Sequence, residues 1–206
     1  MKFFKTPNVF KKLFSQLTWS ISTKEQIIYL TFDDGPTPVV TPWLLELLNK
    51  YNAKATFFCI GEKITKYPHV YQQILNDKHC IGNHTFNHLN GWQTTTDHYI
   101  NNLLKADEVI LPKSKLFRPP YGKIKLHQAK VIKNKGFEII MWDVLSYDFD
   151  QKLDHQKALN KIIKNTQTGS IIVFHDSQKA FENLQKLLPD YLAFFSQKGF
   201  CFKIIP

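Results

Sequence analysis

Residues 27–36 read IIYLTFDDGP, a run of six strand-forming residues that ends in two carboxylates and a turn. The apolar, β-branched and aromatic side chains of the first half are typical of a strand buried on both faces. Asp33 and Asp34 open the second half, where Asp, Gly and Pro are also ordinary turn residues. Taken alone, the stretch predicts a buried strand and leaves a plain turn and a reactive site equally open.

Similar apolar runs recur along the chain, each followed by a polar turn and a segment of helical periodicity. The predicted strands cover residues 27–32, 55–60, 79–82, 115–118, 137–142, 170–174 and 200–204. The predicted helices cover residues 41–51, 66–78, 96–110, 126–135, 154–165 and 181–198. The first has Thr41 as N-cap and Pro42 at the first helical position, and the last has Pro189 as a candidate break. This alternation predicts an α/β protein with about seven parallel strands, arranged as a barrel or as a doubly wound sheet.

Length and composition fit a single globular domain. The chain has 206 residues, of which 43% are hydrophobic and 21% charged, close to ordinary usage. We expect one catalytic domain over residues 25–206, preceded by an N-terminal extension over residues 1–24.

The formal net charge of +10 does not identify a partner. Such a charge attracts nucleic acid, anionic glycans or an acidic membrane surface. The lysines are scattered, however, and Lys11 and Lys12 form the only adjacent pair, which is more typical of solvated helix faces. No nucleic-acid partner is therefore expected, and we expect a monomer.

Three cysteines, Cys59, Cys80 and Cys201, lie in apolar runs without any C-x-x-C spacing. They are interpreted as small buried hydrophobic residues rather than as a disulfide framework or a thiolate metal site.

The N-terminal residues contain apolar side chains but no clear export signal. Charged and turn residues interrupt the run before it reaches the length of a signal-peptide core, and no later run is long enough to span a membrane. The apolar residues are expected on one side of a short helix that packs on the barrel or touches a membrane surface; they are Phe3, Phe4, Phe10, Leu13, Phe14 and Leu17. A cytoplasmic location is favoured, with the cell envelope as the alternative.

Reactive residue types follow several predicted strands. In chain order they are Asp33 and Asp34, His84 and His88, Arg118, Asp143 and Asp148, and His175 and Asp176. In a parallel barrel the carboxyl ends of the strands converge on one face, where barrel enzymes place their sites. The pattern favours a barrel with one reactive face, although each residue alone is more often structural.

Asp34, His84 and His88 are the candidate metal ligands. A hydrolytic metal commonly takes three protein ligands and keeps one position open for water or substrate. The two histidines, four residues apart, could lie on one side of a helical turn. Two imidazoles and a carboxylate suit Zn²⁺, although Co²⁺, Ni²⁺ and Fe²⁺ would accept the same atoms.

Four further residues are candidates for acid–base catalysis. Neighbours at a strand end point in opposite directions, so Asp33 can act separately from Asp34. Arg118 could pair with Asp33 and hold it ionised, and Asp148 could orient His175 and keep it cationic.

Five ordered motifs resemble those of the polysaccharide deacetylases, carbohydrate esterase family four. They are Thr31-Phe32-Asp33-Asp34-Gly35-Pro36, His84-Thr85-Phe86-Asn87-His88, Arg118-Pro119-Pro120-Tyr121-Gly122, the stretch from Asp143 to Asp148, and Ile171-Ile172-Val173-Phe174-His175-Asp176. The resemblance implies a distorted, incomplete (β/α) barrel and metal-dependent hydrolysis of acetyl groups on a glycan, most often N-acetyl groups of N-acetylglucosamine-containing chains.

By motif position, the resemblance also implies individual roles. Asp33 resembles the general base, His175 the general acid, and Asp34, His84 and His88 the metal ligands. Arg118 resembles the residue that pairs with the base, and Asp148 resembles the residue that tunes the acid. Tyr121 would give its backbone N–H to the oxyanion and contact substrate. The aromatic residues Phe86, Trp92, Trp142 and Tyr147 could also stack on sugar rings, but aromatic residues at such positions more often belong to the core.

Departures from the motifs bear on substrate choice. Phe149 stands where the family usually has Trp, and Val173 where it commonly has Leu; both resemble positions that line the pocket for the acetyl methyl group. Leu89 replaces a frequent Pro. The alternative functions are a metal-dependent amidase acting on a small non-carbohydrate amide and a catalytically silent glycan-binding barrel.

Overall fold

A computed structural model describes residues 2–206. Its strands are β1 Ile27–Asp33, β2 Ala55–Cys59, β3 Cys80–Asn83, β4 Leu116–Phe117, β5 Glu138–Ile139, β6 Val144–Leu145, β7 Ile171–His175 and β8 Cys201–Phe202. Its helices are α1 Asn8–Leu13, α2 Val40–Lys50, α3 Gly61–Lys66, α4 Pro68–Asn76, α5 Thr96–Val109, α6 Leu126–Asn134, α7 His155–Asn165 and α8 Phe181–Gln197, with a 3₁₀ turn at Pro120–Gly122.

The sheet is an incomplete barrel of parallel strands. Its order is β5-β4-β3-β2-β1-β7-β6, so among these strands those that are consecutive in sequence lie side by side except β5 and β6, which form the two edges, and β7 pairs with β1. That order is a barrel opened between β5 and β6. The predicted fold class is confirmed, and the doubly wound alternative is excluded.

β1 lies inside the sheet between β2 and β7 and contains the predicted buried strand. All seven of its residues are buried, as expected for a parallel strand covered on both faces. The Phe32 ring stacks on Phe57 of β2 at 5.2 Å and on Phe174 of β7 at 6.1 Å between centroids. β8 adds to the start of β1, where Ile27 and Ile28 pair with Cys201 and Phe202.

Several predicted boundaries are wrong for identifiable reasons. β6 was missed because it has only two residues and follows β5 closely. Helix α2 begins at Val40, and Thr41 is not its N-cap, because the Thr41 hydroxyl donates to Asp176 instead. Helix α4 confirms the predicted helix 66–78 with bounds two residues shorter at each end, whereas α3 was not predicted. Helix α8 continues through Pro189 without a break.

The three cysteines form no disulfide within residues 2–206. Cys59 is buried, as predicted, but Cys80 is half-buried and Cys201 is exposed. Cys201 belongs to a two-residue strand whose side chains alternate between core and solvent, and Phe202 takes the core side.

The N-terminal residues bond to both edges of the open barrel. The Leu145 N–H of β6 donates to the Phe4 carbonyl at 3.0 Å, and the Thr18 N–H donates to the Ile139 carbonyl of β5, also at 3.0 Å. Residues 4–18 therefore cross the gap between the two edge strands. The domain boundary at residue 24 stays a prediction.

The expected apolar helix side is only partly present. Helix α1 has six residues and none of them is buried. Leu17 is buried and Phe14 packs beside it, but Phe3, Phe10 and Leu13 are exposed.

Asp143 is held by this N-terminal segment. Its carboxylate is fully buried, pairs with Lys11, lies 3.7 Å from the Lys5 ammonium, and accepts from Ser170 Oγ at 2.6 Å. Burying a carboxylate costs free energy unless such partners compensate it. The N-terminal lysines thus stabilise a charge in the body of the domain.

We expect Lys11→Met to lower the free energy of unfolding by about 1–3 kcal/mol, because it removes a partner from a buried charge. Urea unfolding followed by circular dichroism measures the change. Lys12→Met, at an exposed neighbouring position, is the control. Equal stabilities of the two variants would show that the pair between Lys11 and Asp143 contributes nothing.

Candidate metal centre and active site

A cavity of about 510 Å³ holds most of the predicted site residues at the carboxyl ends of the strands. Its lining includes Asp33, Asp34, His84, His88, Tyr121, Phe149, Val173 and His175. Arg118 and Asp148 are fully buried and bond to residues of this lining. The sequence therefore placed ten side chains in or directly behind one cavity.

Asp34, His84 and His88 present one ligand atom each to a common point. Asp34 Oδ1 lies 3.6 Å from His84 Nε2 and 3.1 Å from His88 Nε2, and the three ligand atoms lie within 4.8 Å of one another. This spacing suits three ligands of one metal ion.

The other ring nitrogens of both histidines are occupied. His84 Nδ1 lies 2.8 Å from the Arg118 carbonyl, which can only accept, so Nδ1 carries the proton and Nε2 keeps its lone pair. His88 Nδ1 lies 3.1 Å from the Tyr121 hydroxyl. Burial lowers the pKa of His84 to about 4, so this ring is neutral at pH 7, as a metal ligand must be.

The segment from His84 to His88 is a loop, and the helical turn expected there is absent from it. Thr85 and His88 have φ of 63° and 57°, which a helix does not allow. Asn102 of α5 holds the loop instead, because its Oδ1 accepts from the N–H groups of Phe86 and Asn87 at 2.9 and 3.0 Å. No sequence pattern predicted this role of Asn102.

Asp33 points away from Asp34 into an ion pair with Arg118. Arg118 Nη1 donates to Asp33 Oδ1 at 2.7 Å, and both side chains are buried. In the strand register, Asp33 of β1 stands beside His175 of β7. The two predicted acid–base residues therefore flank the same position.

His175 is bound to Asp148 through two contacts. Its ring Nδ1 lies 2.7 Å from Asp148 Oδ1, and its backbone N–H donates to Oδ2 at 2.7 Å. Burial disfavours the charged ring, but the Asp148 carboxylate outweighs it and raises the pKa of His175 to about 9. The imidazole is a cation at neutral pH and holds a proton towards the cavity.

The turn after β1 is shaped by close packing. Asp34 has φ of 81°, a conformation that costs free energy in a residue other than glycine. A Cβ on Gly35 would lie 1.9 Å from Asp176 Oδ2, so only glycine fits there. Asp176 is fully buried and accepts from Thr41 Oγ1 at 2.6 Å. Asp176 therefore packs against Gly35 and holds the turn in place.

Comparison with known proteins agrees with this geometry. Residues 20–140 match the model of a family described as polysaccharide deacetylase. A peptidoglycan-N-acetylglucosamine deacetylase of Bacillus cereus is 35% identical over 185 residues, covering 84% of this chain and 85% of that protein. The chain belongs to the polysaccharide deacetylase family.

Two further matches extend the comparison. A chitooligosaccharide deacetylase of Azorhizobium caulinodans is 36% identical, with 76% of each chain covered. The crystal structure of a peptidoglycan N-acetylglucosamine deacetylase in complex with an N-hydroxybenzamide has a TM-score of 0.83 and 31% identity, covering 98% of this chain and 95% of that one.

Family membership confirms the predicted class of enzyme, a hydrolase that removes acetyl groups from polysaccharides. The family is divalent-metal dependent, and the cluster of Asp34, His84 and His88 is a candidate site for such an ion. No helix within residues 2–206 is long and apolar enough to cross a bilayer.

One residue of the deacetylase motifs lies elsewhere. Asp143 was expected among the reactive residues after the fifth strand, but it precedes β6 and bonds to Ser170 at the start of β7. It therefore lies at the opposite end of the strands from His175. Asp143 was misplaced because β6 was not predicted, so a residue that precedes β6 was assigned to the end of β5.

Some lining residues of the deacetylase cavity were not predicted. Lys63 of α3 and Lys179 after β7 line it, as does Trp142 after β5. All three follow strands, so the same rule that found the reactive residues could have found them.

We expect Asp148→Asn to bring the pKa of His175 down from about 9 towards the ordinary histidine value of about 6.5, because burial is then opposed only by the weaker attraction of Asp34 and Asp33. Proton NMR titration of the His175 ring measures the change. Asp150→Asn, at a carboxylate that pairs with Lys2, is the control. An unchanged His175 titration in Asp148→Asn would contradict the argument.

We expect the protein, after chelation and dialysis, to bind one Zn²⁺ per chain in calorimetry. His84→Ala should weaken binding by at least about 100-fold, because it removes one of three ligand atoms. His69→Ala, at an exposed histidine on α4, should bind as the unaltered chain does. Equal affinities of the two variants would place the ion elsewhere.

Proposed function

We propose that this deacetylase removes N-acetyl groups from N-acetylglucosamine residues of a poly- or oligosaccharide and releases acetate. One observation carries the proposal: three metal-ligating atoms, a carboxylate paired with arginine and a protonated imidazole meet in one cavity. Hydrolysis of an amide needs a nucleophilic water, a base, a charge-stabilising group and an acid, and each has a candidate here.

We propose Asp34, His84 and His88 as the ligands of a divalent ion, with Zn²⁺ the best fit. One carboxylate oxygen and two imidazole nitrogens are the donor set that Zn²⁺ accepts, and Co²⁺, Ni²⁺ or Fe²⁺ would bind the same atoms. Such an ion supplies Lewis acidity towards water and a carbonyl oxygen. The hydrogen bonds at both Nδ1 atoms support this assignment, since they leave Nε2 to the ion.

Asp33 is proposed as the general base. Its Oδ1 accepts a hydrogen bond from the buried Arg118 guanidinium at 2.7 Å, which holds the carboxylate in place. The carboxylate lines the cavity beside the metal ligands and is placed to take a proton from the attacking water. Arg118 is proposed as the residue that positions Asp33.

His175 is proposed as the general acid. Amide hydrolysis requires protonation of the leaving nitrogen, because a free amide anion is too basic to depart. With its pKa raised to about 9, His175 holds that proton at neutral pH. Asp148 keeps the ring oriented through Nδ1, so Nε2 is the donor.

The remaining site residues are proposed to bind substrate. Tyr121 lies in the 3₁₀ turn with φ of 60°, and its backbone N–H is assigned to the developing oxyanion. Phe149 packs edge-on against His175 at 5.1 Å between centroids, and Val173 lines the same wall. Both give an apolar surface for the acetyl methyl group.

The choice of N-acetylglucosamine rests on the relatives. Proteins named as acting on peptidoglycan N-acetylglucosamine and on chitooligosaccharides are both more than 30% identical to this chain. The sugar is common to both substrates, whereas the polymer is not. A monomeric state and a cytoplasmic location stay predictions, and subcellular fractionation would test the location.

We expect the purified chain to release acetate from N-acetylglucosamine oligomers, to lose this activity on chelation and to regain it with Zn²⁺ or Co²⁺. Asp33→Asn and His175→Ala should each lower kcat by about 10²–10⁴, the contribution of a positioned base or acid. Metal binding by these variants, followed by calorimetry, separates lost chemistry from lost metal.

The controls distinguish the alternatives. Asp150→Asn should retain full activity, because its carboxylate lies outside the cavity. Metal binding without cleavage of any oligomer would favour the silent glycan-binding barrel. Cleavage of small cyclic amides but not of oligomers would favour the amidase.

A further inference from the structure

A second cavity of about 350 Å³ adjoins the catalytic one. We name it the aromatic cleft after the side chains that line it, which are Phe10, Phe14, Trp19, Trp92, Tyr121 and Trp142. Tyr121, Gly122 and Trp142 line both cavities. The cleft is therefore continuous with the place where the acetyl group is removed.

The cleft lies between two parts of the chain that are far apart in sequence. One wall is the N-terminal segment, with Phe10, Phe14 and Trp19. The facing wall contains Trp92 and Ile124. The site therefore exists only because residues 4–18 cross the gap of the barrel.

Both tryptophans on these walls are held in place by hydrogen bonds. Trp19 Nε1 donates to the Phe14 carbonyl at 3.0 Å, and Trp92 Nε1 donates to the Ile124 carbonyl at 3.2 Å. An aromatic surface that is already ordered loses little conformational entropy when a ligand binds.

Aromatic area in the cleft is left open to solvent. The exposed fraction is 51% for Phe10, 60% for Trp92 and 60% for Tyr121. Lys123 lies over the Trp92 ring at 5.4 Å, and this contact leaves most of the indole uncovered. Single exposed aromatics are ordinary, but a concave group of them marks a binding site.

The lining chemistry matches a sugar ring. A pyranose has apolar C–H faces, which pack on aromatic rings, and a rim of hydroxyl groups that need polar partners. Polar Thr6, Gln16 and Lys125 line the cleft together with the aromatic side chains. A cavity of this volume lies within the range of about 300–1,000 Å³ found for small-ligand sites.

We propose that the aromatic cleft binds a further sugar ring of the same glycan chain whose acetylated residue occupies the catalytic cavity. This inference rests on the proposed function. A glycan is favoured over a lipid surface because the cleft opens into the catalytic cavity across Tyr121 and Trp142. The N-terminal segment thereby makes the enzyme prefer longer chains.

The test compares substrates of two lengths. We expect Trp92→Ala and Phe10→Ala to lower kcat/KM for the N-acetylglucosamine pentamer by at least about fivefold, because each removes stacking area, and to leave kcat/KM for the single sugar N-acetylglucosamine within about twofold. Trp92→Phe should retain most of the activity on the pentamer. Leu111→Ala, at an exposed apolar residue outside the cleft, is the control.

A binding measurement separates this proposal from the proposed function. Addition of the pentamer should shift the NMR signal of the Trp92 indole N–H, whether or not acetate is released. Acetate release without that shift, or equal losses on the single sugar and the pentamer, would overturn the binding role of the cleft and leave the deacetylase function intact. Loss of binding to anionic lipid vesicles in Phe10→Ala, with unchanged pentamer binding, would overturn it in favour of a membrane contact.

Discussion

The buried guanidinium of Arg118 is the constraint around which the site is built. It is fully shielded from water, so each of its donors needs a partner inside the protein. Nη1 donates to Thr31 and Asp33 of β1 at 2.6 and 2.7 Å, while Nε and Nη2 donate to the carbonyls of Ile140 and Met141 at 3.1 and 3.0 Å. One side chain thus joins the central strand to the segment between β5 and β6.

The backbone of the same residue reaches the metal centre. Its carbonyl accepts from His84 Nδ1, so the orientation of one candidate ligand depends on the position of β4. The Phe58 ring lies 4.1 Å from the guanidinium carbon and covers one face of it. Arg118 therefore fixes Asp33, His84 and Phe58 relative to one another. A shift in the packing of β4 against β1 would move both the proposed base and a candidate metal ligand.

Neighbouring carboxylates do different work because their surroundings differ. Asp33 is paired with the Arg118 guanidinium, and Asp34 faces the imidazoles of His84 and His88. Asp148 bonds to the His175 imidazole, and Asp176 is buried beside the Thr41 hydroxyl. Burial raises the pKa of Asp176 to about 6, whereas the histidines hold the pKa of Asp34 well below its usual range against the opposing effect of burial. Residue type alone does not show these differences.

Much of the fold and site could be read from the sequence because strand ends carry reactive residues in order. The strands followed from the apolar runs, and seven of the ten side chains in or behind the cavity followed from that rule. Tyr121, Phe149 and Val173 came from the resemblance to the deacetylase motifs. Asn102 and the supporting role of Asp176 were not predicted, since both act through contacts made only after folding. Asp143 was misplaced because a strand of two residues, β6, leaves almost no periodic signal.

The crossing of the barrel gap by the N-terminal residues has a consequence for the order of folding. Phe4 bonds to Leu145, 141 residues further along the chain, and Lys11 pairs with Asp143. Contacts of such sequence separation are slow to form, because a long loop must close before they give any stabilisation. During synthesis these residues leave the ribosome well before their partners exist. The N-terminal segment is therefore synthesised first but can bind to the barrel only after β5 and β6 have formed.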